Sequence, residues 1–150
     1  MSFSSFAYGL TAAPSSPILL GPLRQLLASA SEGGFISQID DAALAPPAKY
    51  EVRVTNTGAV ASDDVVLGFM VPPGAGQDGV PLQTLFGFER VHLAAGASTT
   101  VTLYPTHTDF SQVGRDGTRR VHAGEYTVRF GVRETVAHGG GFVEHVVVAR

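Results

Sequence analysis

Apolar and polar residues alternate with a period of two along most of the chain from residue 50 onward. Tyr50, Val52 and Val54 fall on one side of an extended strand, and Glu51, Arg53 and Thr55 on the other, before Asn56-Thr57-Gly58 breaks the run. Val65, Leu67, Phe69 and Val71 form the next apolar set, ended by Pro72-Pro73-Gly74. Residues 82–93 make a longer extended stretch that stops at Ala95-Gly96. Val101 and Leu103 alternate with Thr100, Thr102 and Tyr104 up to Pro105. Tyr126, Val128, Phe130 and Val132 alternate with Thr127, Arg129, Gly131 and Arg133. A last run from Phe142 to Val148 follows Gly139-Gly140-Gly141. Period-two patterning with turn residues every roughly eight to twelve positions predicts an all-β protein, an antiparallel β-sandwich of six or seven strands.

Residues 1–48 differ in texture. Pro14, Pro17, Pro22, Pro46 and Pro47 and clusters of serine make them an irregular N-terminal extension. One piece has helical spacing. Pro22 suits a first helical position, Leu23, Leu26, Leu27 and Ala30 follow on one face, and Gly33-Gly34 is a stop. A helix of two or three turns is marginal alone and needs a surface to pack on. The chain therefore divides into an arm with a short helix, 1–48, and an immunoglobulin-like sandwich, 49–150.

Composition narrows the function classes. The 150 residues include no cysteine and no tryptophan, which excludes a disulfide-linked immunoglobulin core, cysteine metal sites and a cysteine nucleophile. Ten basic residues against thirteen acidic ones leave no electrostatic footprint for nucleic acid. No apolar stretch approaches the roughly twenty residues of a membrane-spanning helix. Residues 1–13 lack the charged and apolar regions of a signal peptide. Only 15% of residues are charged, against about 25% in an average domain, which points to a surface covered by a docked partner or by a missing parent domain.

The candidate chemistry is thin. Gly74-Ala75-Gly76-Gln77-Asp78-Gly79 fits a dinucleotide fingerprint in letters, but Pro81 and an extended run follow where a helix must open, so it reads as a loop. His92, His107, His122, His138 and His145 have no metal-ligand spacing, and no cofactor or metal site is expected. His107-Thr108-Asp109 reads as a turn with Asp109 capping its own backbone. Asp63, Asp64, Glu89, Asp109 and Asp116 show no paired arrangement for glycoside hydrolysis, and no serine elbow is present, so no catalytic residue is expected. Arg115, Arg119 and Arg120 beside Asp116-Gly117 suit either an anion or domain contact, or a solvated hairpin tip with its own ion pair. Tyr50 and Tyr126 fall on apolar faces, which leaves Tyr8 and Tyr104 as weak candidates for carbohydrate contact. The candidate interface residues are Leu23, Leu26, Leu27, Phe86, Phe88 and the three arginines.

Several segments resemble, in order and spacing, the fibronectin type III-like domain of family 3 glycoside hydrolases. They are Val52-Arg53-Val54-Thr55-Asn56-Thr57-Gly58, then Pro81 through Val91, Leu93-Ala94-Ala95-Gly96-Ala97-Ser98, Asp109-Phe110-Ser111, and Gly124-Glu125-Tyr126-Thr127-Val128-Arg129-Phe130-Gly131. Pro72-Pro73-Gly74 is most similar to the β-glucosidase and plant-type β-xylosidase branch, and Tyr8-Gly9-Leu10 resembles the segment just ahead of the domain. Ala123 stands where the family often has proline. In that family the catalytic aspartate lies in a barrel and the general acid in an α/β domain, so no catalytic residue carries over to these residues. The resemblance implies an accessory domain packed on catalytic domains, extracellular if it follows the family. Two other roles stay open: a fragment described by its parent enzyme's hydrolysis of O-glycosyl bonds, and a stand-alone structural subunit of a large assembly that binds through its N-terminal arm. Tyr126 after the Gly124 turn is placed for a tyrosine corner, and Gly87 between Phe86 and Phe88 suggests a bulge or a close backbone approach.

Overall fold

The computed structural model describes residues 4–31, 45–131 and 143–150. Two antiparallel sheets enclose one core. The first runs β1 (Phe6–Ala12), β2 (Tyr50–Asn56), β5 (Ser98–Leu103), with β2 central. The second runs β4 (Thr84–Leu93), β3 (Ser62–Val71), β8 (Gly124–Phe130), β9 (Val143–Ala149). A small hairpin of β6 (Ser111–Val113) and β7 (Arg119–Val121) follows a 3-10 turn at His107–Phe110. The all-β sandwich read from the alternation is the observed fold.

The inner faces supply the core. Tyr50, Val52, Val54, Val101 and Leu103 meet Val66, Met70, Tyr126, Val128 and Phe130. Tyr50 packs on Phe130 with ring centroids 5.4 Å apart, and Phe86 meets Phe130 edge-on at 6.0 Å. Each such tilted pair adds about 0.5–1.5 kcal/mol beyond area burial. Phe110 meets Tyr126 edge-on at 5.0 Å, joining the 3-10 turn to β8.

The N-terminal region departs from the irregular arm in a defined way. Phe6–Ala12 pairs along β2, from Phe6 opposite Asn56 to Ala12 opposite Glu51. Residues 18–20 then run parallel beside β9, with Ile18 N–H donating to Val148 O at 2.8 Å and Leu20 N–H to Arg150 O at 2.8 Å. They cover part of a sheet edge that is otherwise a template for pairing with another chain. Helix α1 (Gly21–Ser31) follows where helical spacing placed it, with Pro22 in its first turn, and rests on β7 and the 3-10 turn. Leu20 and Leu23 are fully buried. The sandwich thus draws a strand, an edge and core side chains from ahead of residue 49, because only long-range pairing gives these residues a partner.

The inner face of β3 also differs from the reading by alternation. Val66 and Met70 are buried, with Gly68 between them, while Val65, Leu67, Phe69 and Val71 point outward. The register explains why. Leu67 pairs with Phe88 and Gly68 with Gly87, but Phe69 pairs with Leu85, so Phe86 is an extra residue in β4. This bulge, foreseen at Gly87, turns Phe86 into the core and leaves Phe88 outside. A Cβ on Gly68 would stand 2.7 Å from Phe86 Cζ and 3.2 Å from Leu103 Cδ1, so glycine is what lets the bulged ring enter. Gly87 itself is less crowded, its nearest such contact being Leu103 Cδ2 at 3.5 Å.

Candidate functional site

The outer face of the four-stranded sheet is where a functional surface can be built. Ladder partners share a face, so the register fixes the neighbours. Leu67 lies beside Phe88 and Phe69 beside Leu85. Phe69 also neighbours Arg129, and Val71 neighbours Thr127. Across β8, Thr127 pairs with Val146 and Glu125 with Val148. Phe88 is 65% exposed, Leu85 49% and Val146 55%, while Leu67, Phe69 and Val71 are half-buried by their own neighbours. The result is an apolar surface across β4 and β3 that resumes on β9.

Charged pairs frame it. Arg129 Nε donates to Glu144 Oε1 at 2.6 Å. At the far end of β3, Asp63 accepts from Arg90 and from His92 Nδ1, and these donors, His92 first, hold its carboxyl below the usual carboxylate range. Apolar patches rimmed by polar groups mark sites of association. A sequence signal for this face exists: residues 65–71, Val-Val-Leu-Gly-Phe-Met-Val, are apolar at both parities, as in a strand covered on both sides.

The residues singled out from sequence are divided by the structure. Leu23 is wholly buried within the chain, and Leu27 and Phe86 pack half-buried on the same core, so these three are used internally rather than offered to a partner. The Leu26 side chain lies outside the described residues. Phe88 stands on the outer face. The arginines sit elsewhere, at the β6–β7 hairpin. Arg120 pairs with Asp116 at 2.8 Å, Arg119 Nη1 donates to Ser111 Oγ at 2.7 Å, and Arg115 lies beside Gly79. The tip holds its own ion pair.

The polar residues are engaged structurally. Tyr8 is half-buried and donates to Asp64, and burial with this carboxylate pushes its phenol pKa well up. Tyr104 is exposed at the end of β5. Asp109 accepts from Thr106 N–H at 2.6 Å, the capping expected of it. Gly74–Gly79 folds back on itself, Gly76 N–H donating to Val80 O at 2.9 Å, and leads into β4 rather than a helix. His107 Nε2 and Ala45 O stand 3.1 Å apart, while its Nδ1 and that of His122 are buried without a hydrogen-bond partner among the described residues. His145 Nδ1 lies 3.1 Å from Tyr50 Oη between the sheets, and burial lowers its pKa. His138 lies outside the described residues. Among the described residues no cluster of three or more histidines and carboxylates could hold a metal ion.

Residues 64–133 match the family model of the fibronectin type III-like domain, Fn3-like. The sandwich is a fibronectin type III-like domain. It corresponds to the C-terminal domain of that kind in family 3 glycoside hydrolases. The chain is 35% identical over 86 residues to the exo-1,4-beta-xylosidase bxlB of Emericella nidulans, and 34% identical over 86 residues to the probable exo-1,4-beta-xylosidase bxlB of Aspergillus clavatus. Each alignment covers 57% of this chain and 11% of the relative, so this fibronectin type III-like chain spans a small part of those proteins. Among solved structures, a beta-glucosidase from Listeria innocua superposes over 100% of this chain and 16% of its own, with a TM-score of 0.70 at 20% identity. The GH3 beta-glucosidase of Bifidobacterium adolescentis gives a TM-score of 0.65 at 23% identity over 99% of this chain and 18% of its own. These likenesses are of fold.

Proposed function

We propose that this chain is a non-catalytic accessory domain that docks by the outer face of its β4-β3-β8-β9 sheet onto the catalytic domains of a family 3 glycoside hydrolase. The observation that carries the reading is the apolar ladder Leu67–Phe88 and Phe69–Leu85, left facing solvent in a chain with few charges. The occupant is argued from the relatives: the xylosidases that share this sequence devote 11% of their length to the match, and the remainder is the natural partner. Burying one exposed phenylalanine contributes about 1.5–3 kcal/mol, so a few such side chains suffice to hold the domain in place.

The alternative of an assembly subunit that grips through a free arm has less support, since residues 4–23 supply a strand, an edge and core side chains. The parent-enzyme reading shares the docking surface, and β-xylosidase or β-glucosidase activity then belongs to the remainder of the polypeptide.

Two measurements test the proposal. The isolated chain assayed on aryl β-xylosides and β-glucosides gives no turnover, and turnover would overturn the non-catalytic role. A photo-crosslinking residue placed at position 88 captures a glycoside hydrolase barrel or α/β domain in the native cell, whereas the same residue at position 120 does not. Capture only from position 120, or none from position 88, rejects the docking face.

A further inference from the structure

The loop between β3 and β4 carries a chemistry that docking does not use. Asp78 is exposed and has φ +49°, the one positive-φ residue other than glycine among those described; exposed Gly79 follows at φ +82°. L-residues adopt that region at a cost in backbone strain. The loop around them is held: Gln77 N–H donates to Gly74 O at 3.0 Å and Val80 N–H to Gln77 O at 2.8 Å. The Asp78 carboxylate and the Gly79 N–H have no hydrogen-bond partner among the described residues. Arg115 Nε lies 3.6 Å from the place a Cβ on Gly79 would take, so a guanidinium stands beside this peptide.

We infer that Asp78–Gly79 is a site of spontaneous aspartate isomerisation. The Gly79 backbone nitrogen gives up its proton to water and attacks Cγ of the protonated Asp78 carboxyl. The Cγ–N bond forms, the Cγ–OH bond breaks, and water leaves a five-membered succinimide. Water then adds to either imide carbonyl and cleaves its C–N bond. One opening restores aspartate; the other routes the main chain through the side-chain carboxyl as isoaspartate. Mass and oxidation state are unchanged. The absence of a side chain at Gly79 leaves its nitrogen open to Cγ. The extra methylene in the isoaspartyl main chain also frees the residue from its left-handed conformation.

The chain contains its own comparison. Asp116-Gly117 repeats the dipeptide at the β6–β7 tip, but Asp116 Oδ1 accepts from Thr118 N–H at 3.0 Å and Oδ2 from Arg120 at 2.8 Å. Gly117 N–H is also occupied, donating to Gly114 O at 3.0 Å. The Thr118 N–H, and more weakly Arg120, hold the Asp116 carboxyl below its usual range, and an ionised carboxylate is the poorer electrophile.

The test is to age the full chain at neutral pH and warm temperature, then map isoaspartate by electron-transfer fragmentation of its peptides. Methyl transfer from S-adenosylmethionine by an isoaspartyl methyltransferase gives a second readout. Isoaspartate accumulates at position 78 several-fold faster than at 116, the difference disappears in denaturant, and Asp78→Glu abolishes the product at 78. Equal rates at the two positions in the folded chain, or a faster rate at 116, would overturn the inference.

Discussion

The side-chain amide of Asn56 donates to the backbone carbonyl of Leu93 at 3.0 Å, joining the end of β2 in one sheet to the end of β4 in the other. The same Nδ2 donates to Val60 O at 2.8 Å, and Oδ1 accepts from Ser4 Oγ at 2.7 Å and from Gly58 N–H at 3.0 Å. Asn56 is fully buried, so each of these groups depends on it. This gives the asparagine of Val-Thr-Asn-Thr-Gly a structural meaning: only an amide offers donors and an acceptor in one plane. Asn56→Ala leaves the buried Leu93 carbonyl without its donor and removes three further part-buried bonds, and is expected to cost about 2–3 kcal/mol in urea unfolding. Asn56→Asp keeps the shape, replaces the donor by an anion facing two carbonyls, and is expected to cost more than alanine.

The bulge at Phe86 makes a second prediction. Gly68→Ala places a methyl 2.7 Å from Phe86 Cζ, and overpacking of this kind costs about 1–3 kcal/mol. Gly87→Ala meets nothing closer than 3.5 Å and is expected to cost less. Pairing Gly68→Ala with Phe86→Leu relieves the clash, so the double variant loses less stability than the two single losses added. Thermal unfolding of the four proteins checks this, at about 2–4 °C per kcal/mol for a domain of this size.

How far the sequence alone leads depends on whether a strand is apolar on one face or both. β2, β5 and β8 alternate cleanly, and their inner residues Val52, Val101 and Val128 are those that periodicity picks out. In β3 both parities are apolar, so the pattern cannot choose. The choice is made by the bulge in β4 and by Gly68, whose missing side chain admits Phe86. Phe86 and Phe88, two residues apart, belong to opposite faces for the same reason. β1 was not legible because Phe-Ala-Tyr-Gly-Leu-Thr-Ala has weak strand character and gains its partner from residues about forty to fifty positions away. The helix was legible from Pro22 and its leucines. That Leu23 faces the chain's own core, and not a partner, follows from the sheet edge that Ile18 and Leu20 close.

The tyrosine corner is a third site to probe. Tyr126 Oη donates to His122 O at 2.6 Å, four residues upstream, and its ring lies against Phe110. Tyr126→Phe keeps the ring and leaves that carbonyl without its donor, an expected loss of about 1–2 kcal/mol. Tyr126→Ala also empties the ring's place and is expected to cost about 3–5 kcal/mol, by analogy with other buried aromatic residues. Chemical denaturation separates the hydroxyl from the ring.

The chain should lose stability at both ends of the pH range. Burial lowers the His145 pKa below its ordinary 6.5, so the unfolded chain binds its proton first. Stability from this group is intact above about pH 6.5 and falls as pH drops below it. Burial raises the pKa values of Tyr8, Tyr50 and Tyr126 above the ordinary 10, with Asp64 adding to the effect at Tyr8. Here the unfolded chain ionises first, so stability falls as pH rises past 10. Unfolding free energies measured from pH 5 to 11 should therefore peak between these limits. His145→Gln should flatten the acid limb, and an acid limb unchanged in that variant would assign it to other groups.

The outer face and the core should respond oppositely to substitution. Phe88 is 65% exposed, so Phe88→Ser removes little that the isolated chain buries, and its stability should move by no more than about 0.5 kcal/mol. Phe130 is fully buried between Tyr50 and Phe86, and Phe130→Ala should cost about 3–5 kcal/mol. The order reverses for association. Phe88→Ser should weaken photo-crosslinking from a neighbouring outer position such as 85 and raise the solubility of the free chain, because it removes the most exposed ring from the patch. Should Phe88→Ser instead unfold the isolated chain, that ring would be part of the fold, and the surface built on it would lose its centre.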